Sequence, residues 1–171
     1  MAAVLTTPIA VAAIVLAVAG IAKLRSPGGA ARALAVADVS VPRGAVRTIA
    51  SGELALSAFA LLAPGRATSA LLAVAYALLA LLAARLASRG AGCGCFGEDE
   101  TPATATHVWL SVALALVAAA GIASPPHGIA WLLSGSPDVA GPLAFGIAGA
   151  VYATVIAYTE LPSAWSAWRP R

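Results

Sequence analysis

Residues 67–84, ATSALLAVAYALLALLAA, decide the fold class of this chain. The stretch contains no charged residue, and Arg66 and Arg85 close it on either side. As an α-helix it would be about 27 Å long, close to the hydrocarbon thickness of a bilayer. The two arginines can extend their charged ends toward lipid head groups. The stretch is therefore predicted to be a transmembrane helix.

The rest of the chain has the same apolar character. Of its 171 residues, 61% are hydrophobic and 10% are charged, whereas soluble domains carry about 25% charged residues. A bilayer covers the outside of a helical bundle with hydrocarbon, so few charges are needed there. The net charge of +3 comes from basic residues spread between apolar segments, which do not form the continuous basic stripe of a nucleic-acid-binding protein. We therefore expect the lipid bilayer, and no nucleic acid, as a partner.

Four more apolar segments are interpreted as membrane spans, at residues 4–22, 48–63, 106–123 and 139–159. The second of these is short and contains Glu53, and residues 26–47 before it are expected to form an interfacial helix and a turn. The prediction is an all-α polytopic membrane protein with a four-helix transmembrane core in residues 1–123. Residues 124–171 add a fifth transmembrane helix and a Trp-rich tail.

The first span has a rival interpretation as a secretory signal peptide, because residues 17–19 resemble a cleavage site. No Lys or Arg precedes its apolar run, and Lys23 and Arg25 follow it. A basic flank after the helix is typical of a membrane anchor, so we expect the span to be retained.

The distribution of Lys and Arg between the loops predicts the orientation of the five spans. With the N-terminus outside, nine basic residues lie on one side and Arg66 alone lies on the other. Because cytoplasmic loops are enriched in basic residues, we expect an outside N-terminus and an inside C-terminus in a bacterial cell membrane. The loop after the third span is then cytoplasmic. The nine residues are Lys23, Arg25, Arg32, Arg43, Arg47, Arg85, Arg89, Arg169 and Arg171.

That loop contains the two cysteines of the chain, Cys93 and Cys95. A disulfide that joins residues two apart in the chain closes a small ring and requires a sharply bent backbone. Such a small ring should be strained, and strained disulfides are labile and oxidising, so the pattern favours thiol–disulfide exchange. The backbone freedom comes from the surrounding glycines, Gly92, Gly94 and Gly97.

Two other interpretations of the cysteines stay open. They could be buried hydrophobic residues in a tight turn. They could also be thiolate ligands of a metal ion, with His107 and residues 98–100 completing the ligand set. The nearest basic residue in the sequence that could stabilise a thiolate is Arg89.

Glu53 and His107 are candidates for a proton relay. An ionisable residue inside a span is by default a functional hypothesis. Glu53 could instead be a hydrated structural residue that pairs with Lys23 or Arg47. His107, at the start of the fourth span, could carry protons to the cysteine loop, or it could be a hydrated interfacial histidine.

No cofactor-binding motif occurs, and the sequence does not indicate whether a quinone is bound. Tryptophans lie near the span ends, where indole rings prefer to sit, and they require no cofactor to explain them. These residues are Trp109, Trp131, Trp165 and Trp168.

Three segments resemble the methylamine utilisation protein MauE family, which is related to DoxX-like membrane proteins. They are GIAKLR at residues 20–25, GELAL at residues 52–56, and CGCFG at residues 93–97, with Phe96 before the last glycine. The likeness covers residues 1–123, and CGCFG is its most specific part. Many relatives carry Arg-Asn where this chain has Leu110-Ser111.

The resemblance implies a membrane protein that supports thiol–disulfide redox chemistry or the maturation of an exported protein, with a thioredoxin-like partner of the MauD kind. In the family, the exported protein is the small subunit of methylamine dehydrogenase, an enzyme of methylamine metabolism. The chain could thus be a component of a thiol–disulfide oxidoreductase. The alternatives are a non-catalytic assembly factor and a small transporter that uses Glu53.

One implication of the resemblance conflicts with the charge count. Partners of the MauD kind act outside the cell membrane, whereas the basic residues place the cysteine loop inside. The loop could be reached through the bilayer, or electrons could be collected from inside, or one short span could be miscounted.

Overall fold

The structure is a computed structural model that describes residues 2–96, 102–161 and 164. The described residues form seven helices and no strand. In chain order they are α1 (Ala2–Arg25), α2 (Pro27–Val36), α3 (Arg43–Leu62), α4 (Arg66–Ser88), α5 (Ala105–Ala123), α6 (Ile129–Leu133) and α7 (Pro137–Thr159).

Five of these helices, α1, α3, α4, α5 and α7, are long and apolar enough to cross a membrane. The predicted all-α polytopic membrane fold is therefore confirmed. The second span is longer than predicted, because α3 begins at Arg43 and contains 20 residues. Pro42 stands at its N-cap, and the charged residues of the first turns belong to the helix. Glu53 consequently lies near the middle of α3 and not close to its start.

α1 is the central helix of the bundle and packs against α3, α5 and α7. Its residues belong to two buried apolar clusters, one shared with α3, α4 and α5 and the other with α6 and α7. The Tyr76 hydroxyl of α4 donates a hydrogen bond of 2.6 Å to the Ala12 carbonyl of α1. The retention of α1 as a membrane anchor stays a prediction.

Glycines allow close approach between the spanning helices, as is common in membrane bundles. A Cβ atom at Gly121 of α5 would lie 2.7 Å from both Ser69 Oγ of α4 and Ile9 Cδ1 of α1. A Cβ atom at Gly20 of α1 would lie 3.1 Å from the Ala50 carbonyl oxygen of α3. The second contact brings the ends of α1 and α3 together where the candidate site lies.

The connection between α2 and α3 is fastened to the end of α4. Arg89, the C-cap residue of α4, donates hydrogen bonds to the Val36 carbonyl and the Asp38 carboxylate. The hydrogen bond and positive charge of Arg89 hold the pKa of Asp38 below its usual range. Exposed ion pairs are screened by water and salt, so this contact contributes little stability. It joins the segment after α2 to the residue that precedes the cysteine loop.

Candidate redox site at the cysteine loop

The cysteine loop begins directly after α4 and closes back on itself. Gly90 adopts a positive φ of 62° there. The Ala103 amide donates a hydrogen bond of 2.8 Å to the Ala91 carbonyl, and Gly92 forms an antiparallel bridge with Pro102. The chain segments that enter and leave the loop are therefore held side by side, directly before α5 begins.

Cys93 and Cys95 face each other across Gly94. Their Cα atoms are 5.3 Å apart, and their sulfur atoms are joined as a disulfide. Gly94 has a φ of 61°, which residues with a side chain rarely adopt. Cys93 is 5% exposed, whereas Cys95 is only half-buried. Cys95 is thus the more accessible of the two cysteines.

The first turn of α2 lies directly on Gly94. A Cβ atom at Gly94 would lie 2.6 Å from the Gly29 carbonyl oxygen and 3.1 Å from the Ala30 nitrogen. Backbone atoms cannot yield as a flexible side chain can, so a side chain at this position would require α2 to shift. Gly94 allows the bend that the sequence predicted. It also allows close packing against α2, which the sequence did not indicate.

Lys23 of α1 and Glu53 of α3 form a buried ion pair at the same end of the bundle. Lys23 Nζ lies 2.6 and 2.8 Å from the two carboxylate oxygens of Glu53. The two side chains are 7% and 12% exposed. Lys23 was one of the two partners expected for Glu53, and Arg47 is not the partner. The expectation that Glu53 is hydrated is wrong, because the close packing at Gly20 encloses the pair.

Two small cavities connect this ion pair with the cysteines. The larger, of about 100 Å³, is lined by both charged residues and by the whole Cys93-Gly94-Cys95 turn. The smaller, of about 20 Å³, lies on the α5 and α7 side, and Lys23 and Cys95 line it as well. The fold therefore brings a cation from the first helix to the cavities that the cysteines line. Arg89, the nearest basic residue in the sequence, is bonded to Asp38 and Val36 instead.

His107 is buried in the first turn of α5, with 2% of its surface exposed. Its Nδ1 atom lies 3.2 Å from the Thr104 amide, which donates a hydrogen bond to it and so caps the helix. Its ring meets the Tyr158 ring edge-on at 5.7 Å. The interpretation of His107 as a hydrated interfacial residue is wrong, because α7 covers it. Its role as a proton relay stays a prediction.

Phe96, the residue after Cys95, packs against Tyr158 in the last turn of α7. The ring centroids are 5.4 Å apart, and the planes are tilted by 49°. The Tyr158 hydroxyl lies 3.0 Å from Ser111 Oγ. Sequence reasoning missed Tyr158, because a lone tyrosine in an apolar span gives no motif to recognise.

The metal interpretation of the cysteines finds no support in the part of the chain that the structure describes. No group of three or more His, Cys, Asp or Glu side chains there could hold a metal ion. Gly97 and the acidic residues 98–100 lie outside the described residues, as do Trp165 and Trp168.

A family model described as methylamine utilisation protein MauE matches residues 1–124. The match covers more than half of the chain and includes the ion pair and the cysteine loop. The chain belongs to the MauE family. The resemblance predicted from three short segments is thereby confirmed, and α6 and α7 lie beyond the matched region. No curated protein and no solved structure shows significant similarity to the chain.

Proposed function

We propose that this MauE-family protein exchanges electrons between its Cys93–Cys95 pair and a thioredoxin-like partner of the MauD kind, in support of the maturation of an exported protein. By analogy with the family, that protein is the small subunit of methylamine dehydrogenase. The observation that carries the proposal is the cysteine pair itself. Its two residues face each other across Gly94 with their Cα atoms 5.3 Å apart, and the buried cation Lys23 lines two small cavities together with one or both cysteines.

The exchange takes place between the dithiol of the partner and the Cys93–Cys95 disulfide, and its atoms and electrons balance. A partner thiolate attacks Cys95 Sγ, the Cys93–Cys95 bond breaks, and Cys93 leaves as a thiolate that takes up a proton. The second partner thiolate then attacks the mixed disulfide, and Cys95 is released and protonated in turn. Two electrons and two protons pass from the partner to the loop, and the reverse sequence oxidises the loop again.

Lys23 has a direct use in this reaction. A positive charge near a thiolate stabilises it, which helps a cysteine to leave from a disulfide. Glu53 holds the Lys23 ammonium group in place and balances its charge in the low-dielectric interior. Glu53, through Lys23, and His107 remain the candidates for supplying the two protons.

Single-cysteine variants test which sulfur atom is attacked. Cys93→Ser retains the more accessible Cys95, and Cys95→Ser retains the buried Cys93. Because exchange depends on access to sulfur, we expect oxidised glutathione to modify Cys93→Ser about tenfold faster than Cys95→Ser. Mass spectrometry of the purified variants measures both rates. Equal rates, or faster modification of Cys93, would contradict the assignment.

The double variant Cys93→Ser/Cys95→Ser separates the redox function from assembly without catalysis. If maturation of the exported protein depends on exchange, this variant loses it while the bundle stays folded. Full maturation with both cysteines absent would favour the assembly factor.

The position of the loop among the basic residues supports the proposed orientation. The loop lies at the end of the bundle that carries Lys23 and the first turns of α2 and α3. By the enrichment of Lys and Arg in cytoplasmic loops, this end is inside, the N-terminus is outside, and the C-terminus is inside. Five apolar helices of sufficient length give no reason to remove a span from the count. With the loop on the inside, either a partner of the MauD kind, which acts outside, reaches it through the bilayer, or electrons are collected from inside.

An impermeant maleimide added to intact, reduced cells tests this orientation. We expect Cys93 and Cys95 to stay unlabelled until the cells are lysed. An Arg66→Cys variant of the cysteine-free protein, which places a thiol at the opposite end of α4, should be labelled in intact cells. Labelling of the native cysteines before lysis would reverse the assignment.

A further inference from the structure

The last turn of α7 reaches the cysteine loop from outside the region that the family model matches. Most of α7 is exposed on the surface of the bundle, and among its residues Ile147 and Tyr158 are buried. Tyr158 is 6% exposed and lines the small cavity together with Lys23, Cys95 and Phe96. A residue of the fifth span thus completes the surroundings of a site whose other residues lie within residues 1–124.

Tyr158 is itself held in place on two sides. Its hydroxyl lies 3.0 Å from Ser111 Oγ on α5, and its ring meets the His107 ring edge-on. The remaining side of the ring contacts Phe96 at a centroid distance of 5.4 Å. Aromatic pairs at such distances are favourable beyond the area that they bury. The contact therefore holds Phe96 against a fixed element of the bundle.

Phe96 restrains the position of Cys95. The two residues are adjacent in the chain, and the preceding Gly94 leaves the backbone free to turn. On the other side of the pair, Cys93 packs in a cluster with Ala33, Leu86 and Ala103. Cys95 also packs against this cluster, and the contact of Phe96 with Tyr158 is a further anchor on the Cys95 side of Gly94.

We propose that Tyr158 is a positioning residue that keeps Cys95 next to Cys93 when the pair is reduced. This inference rests on the proposed redox function. When glutathione disulfide oxidises the pair, the two thiols lose two electrons and two protons, and two glutathione thiols form. The equilibrium constant of this closure is the effective concentration of one thiol at the other, which falls when an anchor of the loop is lost.

The closure constant of the purified protein, measured over a series of glutathione ratios, tests the proposal. Tyr158→Ala removes the ring, and we expect its closure constant to be about tenfold lower than that of the wild type. Tyr158→Phe keeps the ring and should retain nearly the wild-type constant. Ile147→Ala, a truncation at the other buried residue of α7, should lower stability and leave the constant unchanged, so it controls for weaker packing of the helix.

Phe96→Leu provides a second test from the loop side, in case Tyr158→Ala does not fold. It breaks the same ring contact and should lower the constant to a similar extent, and combining it with Tyr158→Ala should add little. A wild-type constant in Tyr158→Ala, or in Phe96→Leu where the first variant is unfolded, overturns the inference and leaves the redox function standing. A wild-type protein that never closes its cysteines with glutathione would instead overturn the redox function itself.

Discussion

Replacing Glu53 by glutamine is expected to lower the free energy of unfolding by about 3–5 kcal/mol, because breaking one half of a buried ion pair leaves the other charge uncompensated. Lys23, with 7% of its side chain exposed, cannot recover its hydration without opening the contact between α1 and α3. Lys23→Met should lower the free energy of unfolding to a comparable extent, because it leaves the Glu53 carboxylate without its partner. Unfolding of the detergent-solubilised variants by denaturant measures both.

Two further variants make this prediction specific to a buried pair. The combination Lys23→Met/Glu53→Gln removes both charges and should recover most of the lost stability. Asp38→Asn breaks the exposed pair with Arg89 and should leave the unfolding transition unchanged, since water already screens that pair. If Glu53→Gln were as stable as the wild type, the pair would be hydrated, and its place beside the cysteines would be wrong.

The same combination decides how the transporter alternative must be tested. Loss of function in Glu53→Gln alone could follow from destabilisation of the bundle. Lys23→Met/Glu53→Gln removes the carboxylate from a protein that stays folded. A small transporter that depends on Glu53 would then lose activity, whereas the cysteines would still close, although Lys23 would no longer stabilise their thiolates.

Gly94→Ala is expected to destabilise the protein by about 2–4 kcal/mol, the largest effect after that of breaking the Lys23–Glu53 pair. A positive φ costs a residue with a Cβ atom about 1 kcal/mol, and overpacking adds about 1–3 kcal/mol. The new Cβ atom would lie 2.6 Å from the Gly29 carbonyl oxygen, so α2 must move away from the cysteine turn. We also expect faster maleimide labelling of reduced Cys93. Unfolding by denaturant and timed labelling measure the two effects.

Gly90→Ala is the matched control for the alanine at Gly94. Gly90 has almost the same φ, 62°, but a Cβ atom there would meet no atom within 4 Å. The substitution should therefore cost only about 1 kcal/mol and leave the labelling of Cys93 unchanged. Equal effects at the two glycines would show that α2 does not press on the cysteine turn.

The length and apolar character of the spans were sufficient to predict the helical architecture. Four of the five predicted spans fall within α1, α4, α5 and α7. The helix α3 begins before the predicted start of the second span, because Arg43 and Arg47 interrupt the apolar pattern although they belong to the helix. An amphipathic first turn cannot be seen by counting apolar residues. Pro42 could have set the earliest start of α3, because proline is not tolerated in a helix interior.

The local part of the site could be predicted, and the part that depends on packing could not. The Cys-Gly-Cys turn and its glycines were recognised because they are neighbours in the chain. The approach of Lys23 to Cys95, the burial of His107 and the contact of Tyr158 with Phe96 each depend on how separate helices pack. A single sequence holds no direct signal for such distances. The residue considered for stabilising a thiolate was therefore Arg89, the nearest basic residue in the chain, and not Lys23.

The most direct test of the account is a redox titration of the purified wild-type protein. The protein is equilibrated with glutathione at a series of ratios, quenched with acid and labelled with a maleimide of high mass, so that each free thiol slows migration on a gel. The account predicts that Cys93 and Cys95 lose their label together, in one reversible two-electron transition with no singly labelled species accumulating. Two freely labelled thiols at every ratio would contradict it.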